Sequence, residues 1–249
     1  MPRPDLADWS TAYECLDDLR SKSKTPGSIY DALVTSEEAA YFAWNLAALT
    51  PWEQLPEDPP LKNNKPAPPL ATQAAREGFK APNHLTKVIT PAHVNRPEIL
   101  KLRDVVCKGD PDMNKRDVFG MAIRKWDGAD RGGHWRLQVL FAALVDVAER
   151  TGPKSTADRG GKEENREDVL AEWKKFLDHL AELDLIEVSS LKPLVDGKTL
   201  AKELGVKPGP WMMKALNICL SWQLRNPGVT DIAGAVEEVK AKREELGIR

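Results

Sequence analysis

From Trp9 to Trp222 the apolar residues of this chain return every three to four positions, while apolar/polar alternation over the length of a strand is nearly absent. A chain with that period buries one continuous face only as helix, so the expected fold is all-α: an irregular multi-helix body followed by a smaller helical tail. Trp9, Tyr13 and Leu16 share one stripe. Thr35 followed three residues later by Glu38 reads as a capping box opening a helix to about Leu49, with Tyr41, Phe42 and Trp44 on its aromatic side. A helix is expected from Pro97 to Lys108, preceded by a basic stretch with His84 and Lys87. Residues 134–150 are apolar on nearly every side between Leu137 and Val147, the pattern of a central core helix, and Val169, Trp173, Phe176, Leu177 and Leu180 mark one face of another.

Two segments interrupt this pattern. Residues 56–70, PEDPPLKNNKPAPPL, carry six prolines in fifteen positions and read as an extended connector of polyproline character. Residues 151–168 lack apolar periodicity and read as a flexible charged loop, the expected site of proteolysis. The expected organisation is therefore a helical body over 1–150, the loop 151–168, and a second helical body and tail over 169–249.

Composition narrows the function. The 249 residues carry 36 Lys plus Arg against 38 Asp plus Glu, a net charge of −2, which excludes a strongly basic nucleic-acid protein. The charge is uneven: −7 over residues 1–60, +4 over 61–100, +3 over 101–138, −5 over 139–187 and +3 over 188–249, so basic surface is expected on part of the fold. Cys15, Cys107 and Cys219 lie far apart without CxxC spacing, which fits a reducing, intracellular compartment; mitochondrion, nucleus and cytosol are not distinguished. The longest apolar run, Val139 to Val145, falls far short of the roughly 20 residues that span a bilayer, and no membrane partner is expected.

Motifs with chemical potential mostly have simpler readings. Asp196-Gly197-Lys198-Thr199 ends like a phosphate-binding loop, but Lys192 stands where the first glycine belongs, so Asp196 is expected to cap a helix. Asp110 and Asp112 flank Pro111 and favour a turn over a metal pair. With Lys115 and Met121 at the positions of the required glycine and glutamate, a calcium loop is excluded. His84, His93, His134 and His179 share no ligand spacing. No catalytic residue, metal or cofactor is expected in this chain.

The most specific stretch is Pro193 to Trp211, continuing through Lys214 to Trp222. It reads as helix, turn, helix: Asp196 caps a short helix with Leu200 and Leu204 inward, Gly205 supplies a left-handed residue beyond its end, and Pro208-Gly209-Pro210 turns the chain, with Pro210 at the first position of the next helix. The N-terminus of that second helix, approached through Gly209 and surrounded by Lys198, Lys207 and Lys214, has the chemistry of a phosphate site.

D-G-K-x-L-x-x-x-L-G-x-K-P-G-P-W at residues 196–211 resembles the segment in the C-terminal body and tail of CCA-adding tRNA nucleotidyltransferases, and Ser221-Trp-Gln-Leu-Arg-Asn-Pro227 resembles the fungal members. Ala43 to Trp52, Lys80 to Lys87 and Gly133 to Phe141 carry weaker similarity. The resemblance implies a parent enzyme that adds CCA to tRNA 3′ ends from CTP and ATP with magnesium. In this family a catalytic α/β head precedes an all-helical neck, body and tail that hold the tRNA acceptor and T arms. The head's glycine-rich strand and turn ahead of a DxD pair, its R-R-D segment and its E-D-x-x-R template are not found in this sequence. The expectation is a tRNA-positioning C-terminal fragment, inactive alone, whose partners are tRNA and the missing head. Expected RNA contacts are Lys198, Lys207, Gly209, Lys214 and Arg225, with Arg116, Arg124, Lys125, Arg131 and Arg136 as a second group. The alternative is a helical protein-interaction scaffold without RNA affinity, using the proline-rich connector and the acidic N-terminal segment.

Overall fold

The computed structural model describes residues 4, 6–56, 67–128, 134–152 and 164–248. Among these residues every regular element is a helix, and no sheet or α/β head occurs. The chain forms two compact units. The first comprises Met1–Asp110 and Trp126–Ala181, and the second Pro111–Lys125 and Glu182–Arg249. Each unit is therefore built from two chain segments, where the expected blocks were linear. The expected loop 151–168 lies mostly outside the described residues, but Thr151 ends one helix and Arg166–Asp168 begin the next. Most of the proline-rich connector, residues 57–66, also lies outside them.

In the first unit, α1 (Leu6–Ser21), α2 (Ile29–Leu33), α3 (Glu37–Leu49), the 3-10 turn Thr50–Gln54, α4 (Leu70–Gln73) and α5 (Asn83–Lys108) precede α7 (Trp135–Thr151) and α8 (Arg166–Glu182). Residues 137–148 of α7 are all buried, and α1, α2, α3 and α5 pack against this helix. The cap of α3 is Ser36, whose hydroxyl accepts from the amide of Ala39 at 3.0 Å, one residue later than the expected Thr35. The larger difference is α5, one continuous helix of 26 residues with Pro91 and Pro97 inside it, where a helix starting at Pro97 was expected. Each internal proline costs about 3 kcal/mol in an isolated helix. Burial of Leu85, Val88, Ile89, Ala92, Ile99, Leu102 and Val106 along one stripe offsets that cost.

Charge holds the same unit together. Arg103 of α5 donates to Asp146 of α7 at 2.8 Å and to Glu172 of α8 at 2.7 Å, and its guanidinium lies 5.1 Å above the Trp173 ring. Arg150 donates to both oxygens of Glu172, at 2.7 and 2.9 Å, and Trp173 Nε1 donates to Asp146 at 3.0 Å. Arg150, ahead of the further pull of Arg103, holds the Glu172 carboxyl below its ordinary range.

The second unit contains most of α6 (Arg116–Asp127), with α9 (Gly197–Leu204), α10 (Met212–Arg225) and α11 (Ala233–Ala241). Its core gathers Val195, Leu200, Leu204, Trp211, Ala215, Cys219, Val236 and Val239. Glycines make room for large neighbours: a Cβ on Gly234 of α11 would stand 2.4 Å from Trp222 of α10, and one on Gly120 of α6 2.9 Å from Leu224.

Candidate nucleic-acid interface

The helix–turn–helix of the second unit follows from local chemistry. Asp196 Oδ1 accepts from the amide of Thr199 at 2.8 Å. That bond, ahead of the Thr199 hydroxyl and the charge of Lys198, holds the Asp196 carboxyl below its usual range. Gly205, at φ 65°, ends α9: its amide bonds Lys202 O and that of Val206 bonds Ala201 O, the paired closure of a left-handed helix end. The following turn carries the chain through Pro208-Gly209-Pro210. The second helix starts at Met212, two residues after the expected Pro210, because the amide of Met212 bonds Gly209 O at 3.1 Å and Pro210 and Trp211 complete the turn. Gly209 has a steric role here: a Cβ on it would stand 3.0 Å from the Trp211 indole, which is buried in the core.

Two helix starts meet in this motif. A Cβ on Gly197, the first residue of α9, would lie 2.5 Å from Met212 Sδ, at the first residue of α10. The α9 start is occupied by Asp196, whereas α10 begins without a side-chain cap, so the positive end of its dipole is not answered by a capping carboxylate. Lys198 in the first turn of α9, Lys207 in the connection and Lys214 in the first turn of α10 are all exposed. Met213, which is 73% exposed and off the buried stripe Ala215, Cys219, Leu220 and Leu224, stands beside Lys214. It was not among the expected residues; its signal is the second of two methionines at a helix start.

Among the expected arginines, Arg116, Arg124 and Arg136 are half-buried and bonded to backbone carbonyls, whereas Arg225 is exposed. Arg116 donates to the carbonyls of Leu183 and Leu224 at 2.7 Å each and to that of Asp184 at 3.1 Å. Arg124 donates to those of Val188 and Leu191 at 2.9 and 2.8 Å. Arg136, in the first unit, bonds the carbonyl of Ala32 and lies 5.0 Å above the Trp135 ring. Arg225 pairs with Asp117 and Glu238. Lys125 is exposed, and Arg131 lies outside the described residues. The second unit carries 14 Lys plus Arg against 12 Asp plus Glu, and the segment 192–214 five against two, so its positive charge concentrates on this motif.

Other chemistry is sparse. Among the described residues no three His, Cys, Asp or Glu side chains are grouped to hold a metal ion. Asp112 of the DxD pair forms an ion pair with Lys115 at 2.6 Å. Burial pushes the Cys15 thiol up to about 12 and that of Cys219 to about 11, leaving both protonated and unreactive at neutral pH. No described helix is long and apolar enough to cross a membrane.

Comparison with known proteins gives a consistent direction. No family model matches the chain, and no solved structure matches it. The nucleotidyltransferase lcsQ of Purpureocillium lilacinum is 46% identical over 271 aligned positions, which cover 99% of this chain and 45% of that protein. The mitochondrial CCA tRNA nucleotidyltransferase of Saccharomyces cerevisiae is 29% identical over 134 residues, 53% of this chain and 22% of that protein. The tRNA nucleotidyltransferase cca2 of Schizosaccharomyces pombe is 32% identical over 80 residues, 32% of this chain and 16% of that protein. The chain thus spans less than half the length of these curated relatives. By sequence, it is a relative of the fungal nucleotidyltransferases.

Proposed function

We propose that this chain is the tRNA-holding body and tail of a longer CCA-adding tRNA nucleotidyltransferase, whose catalytic head supplies the chemistry with CTP, ATP and magnesium. The observation that carries this reading is the α9–turn–α10 motif: Leu200, Leu204, Trp211, Ala215 and Cys219 are committed to the core, while Lys198, Lys207 and Lys214 are exposed in the two helix starts and the connection between them, and the second start has no side-chain cap. Lysines on flexible stems beside backbone amides suit phosphate and carry no base preference, as a protein that serves every tRNA requires. Arg116 and Arg124 support the motif instead of reaching out, since they tie α6 to the stretch of chain that leads into it. Residues 183–191 hang on those two guanidinium groups. With three free thiols, the module belongs in a reducing compartment.

The test is binding of a labelled tRNA at low and near-physiological salt, with CTP, ATP and magnesium incorporation measured on the same sample. Three phosphate contacts give a slope of log affinity on log salt of about −2 to −3, and the chain alone incorporates no nucleotide. Incorporation would reveal a catalytic site in this chain. Absence of tRNA binding at both salts would remove the positioning role.

A further inference from the structure

The first unit presents a second surface, of opposite chemistry. Tyr13 of α1 stacks on Trp44 of α3 with ring centroids 6.0 Å apart and planes 23° apart. Tyr41, one turn before Trp44 on the same helix, extends this aromatic row. These rings are not core: Tyr13 is 38% exposed and Tyr41 52%. Carboxylates stand at helical spacing from them. Glu37 and Glu38 precede Tyr41 by four and three residues, Asp17 follows Tyr13 by four, and all three are exposed. No Lys or Arg occurs between residues 25 and 61, a stretch with six Asp and Glu, and the single cation of α1 is Arg20, two turns beyond Tyr13.

We infer that this α1/α3 face docks an arginine-bearing segment of a separate protein. The ring faces attract a planar cation, most strongly guanidinium, and the carboxylates beside them supply its counter-charge. Nucleic acid is excluded because its phosphates would meet carboxylates with no neighbouring cation on α3. A symmetric pairing of two copies through this face would set carboxylate against carboxylate. A purely apolar partner would dry and bury three charges without partners. The inference does not depend on tRNA binding by the second unit.

The test uses the whole chain and a labelled peptide of alternating arginine and glycine, read by fluorescence anisotropy at low salt, with the lysine–glycine peptide as comparator. The arginine peptide should bind about threefold tighter than the lysine one, and Tyr41→Gln should weaken it about threefold. Glu37→Gln with Glu38→Gln should weaken it by at least as much, whereas Glu244→Gln with Glu245→Gln, exposed in the other unit, should leave it unchanged. Equal affinity for the two peptides, or equal loss from the two glutamate pairs, would overturn the inference. A concentration-dependent dimer that Tyr41→Gln dissolves would assign the face to a second copy instead.

Discussion

The two units solve the same packing problem differently. In the first, α5, α7 and α8 are tied by a buried ionic network, with Arg103 and Asp146 each about 7% exposed at their side chains. In the second, which is smaller, large side chains seat against glycine backbones and arginines close on carbonyl groups. A unit with a fully buried central helix has room to pair charges around it. A unit made of short helices reaches close packing by bringing backbones together, which only glycine permits. The difference predicts separate sensitivities, readable by amide hydrogen exchange in peptides from α7 and α10.

The largest effect is expected for Asp146→Ala, which removes the shared acceptor of Arg103, Arg150 and Trp173 and leaves a buried guanidinium short of its partner. It should destabilise by about 3–5 kcal/mol, with protection lost in α7 and kept in α10. Equal loss in both peptides would show that the units do not unfold separately. In the second unit, Gly234→Ala drives a methyl into the rigid Trp222 indole and should cost about 1–3 kcal/mol in urea titration, with the loss seen first in α10. Lys207→Ala with Lys214→Ala should leave both units folded, weaken tRNA binding by a similar factor for all tRNA sequences, and reduce the salt slope by about 1.5–2. Unchanged affinity would detach RNA from this motif. Gly197→Ala, whose new methyl meets only the flexible Met212 thioether, should cost less than about 1 kcal/mol. A cost equal to that of Gly234→Ala would show that the rigidity of the neighbour is not what matters.

Acid separates the units as well. Because the folded-state carboxyl of Glu172 lies below its ordinary 4.5, its contribution is fully present above that pH and is lost as pH falls through the lower folded value. Stability of the first unit should therefore fall below about pH 4.5, and Glu172→Gln should flatten that limb in thermal melts across the acid range. The carboxyl of Asp196, held low by the Thr199 amide, gives the α9 cap the same sign of dependence at lower pH.

The parts legible in the sequence are those whose causes are local. Asp196, Gly205 and the Pro-Gly-Pro turn act within four residues of themselves, and α9 and its ends follow from them. The run from Leu137 to Val147 is apolar on nearly every side, and its place is the interior, where its two polar residues, Gln138 and Asp146, find partners. Pro91 and Pro97 show where this reasoning stops: their local penalty argues for a break, and the stripe of α5 residues buried in the first unit overrides it. The candidate interface divides in the same way. Lysine and arginine look alike as positive charge in a sequence, and the structure separates them. Lys198, Lys207 and Lys214 stay at the surface, while Arg116 bonds carbonyls 67 and 108 positions away. By itself the sequence determined the helical class, the core helix and the two ends of α9, because periodicity and capping act between neighbours along the chain. Tertiary structure alone decided the continuity of α5, the interleaving of the two units and which cations remain at the surface, because each depends on partners that only folding brings together.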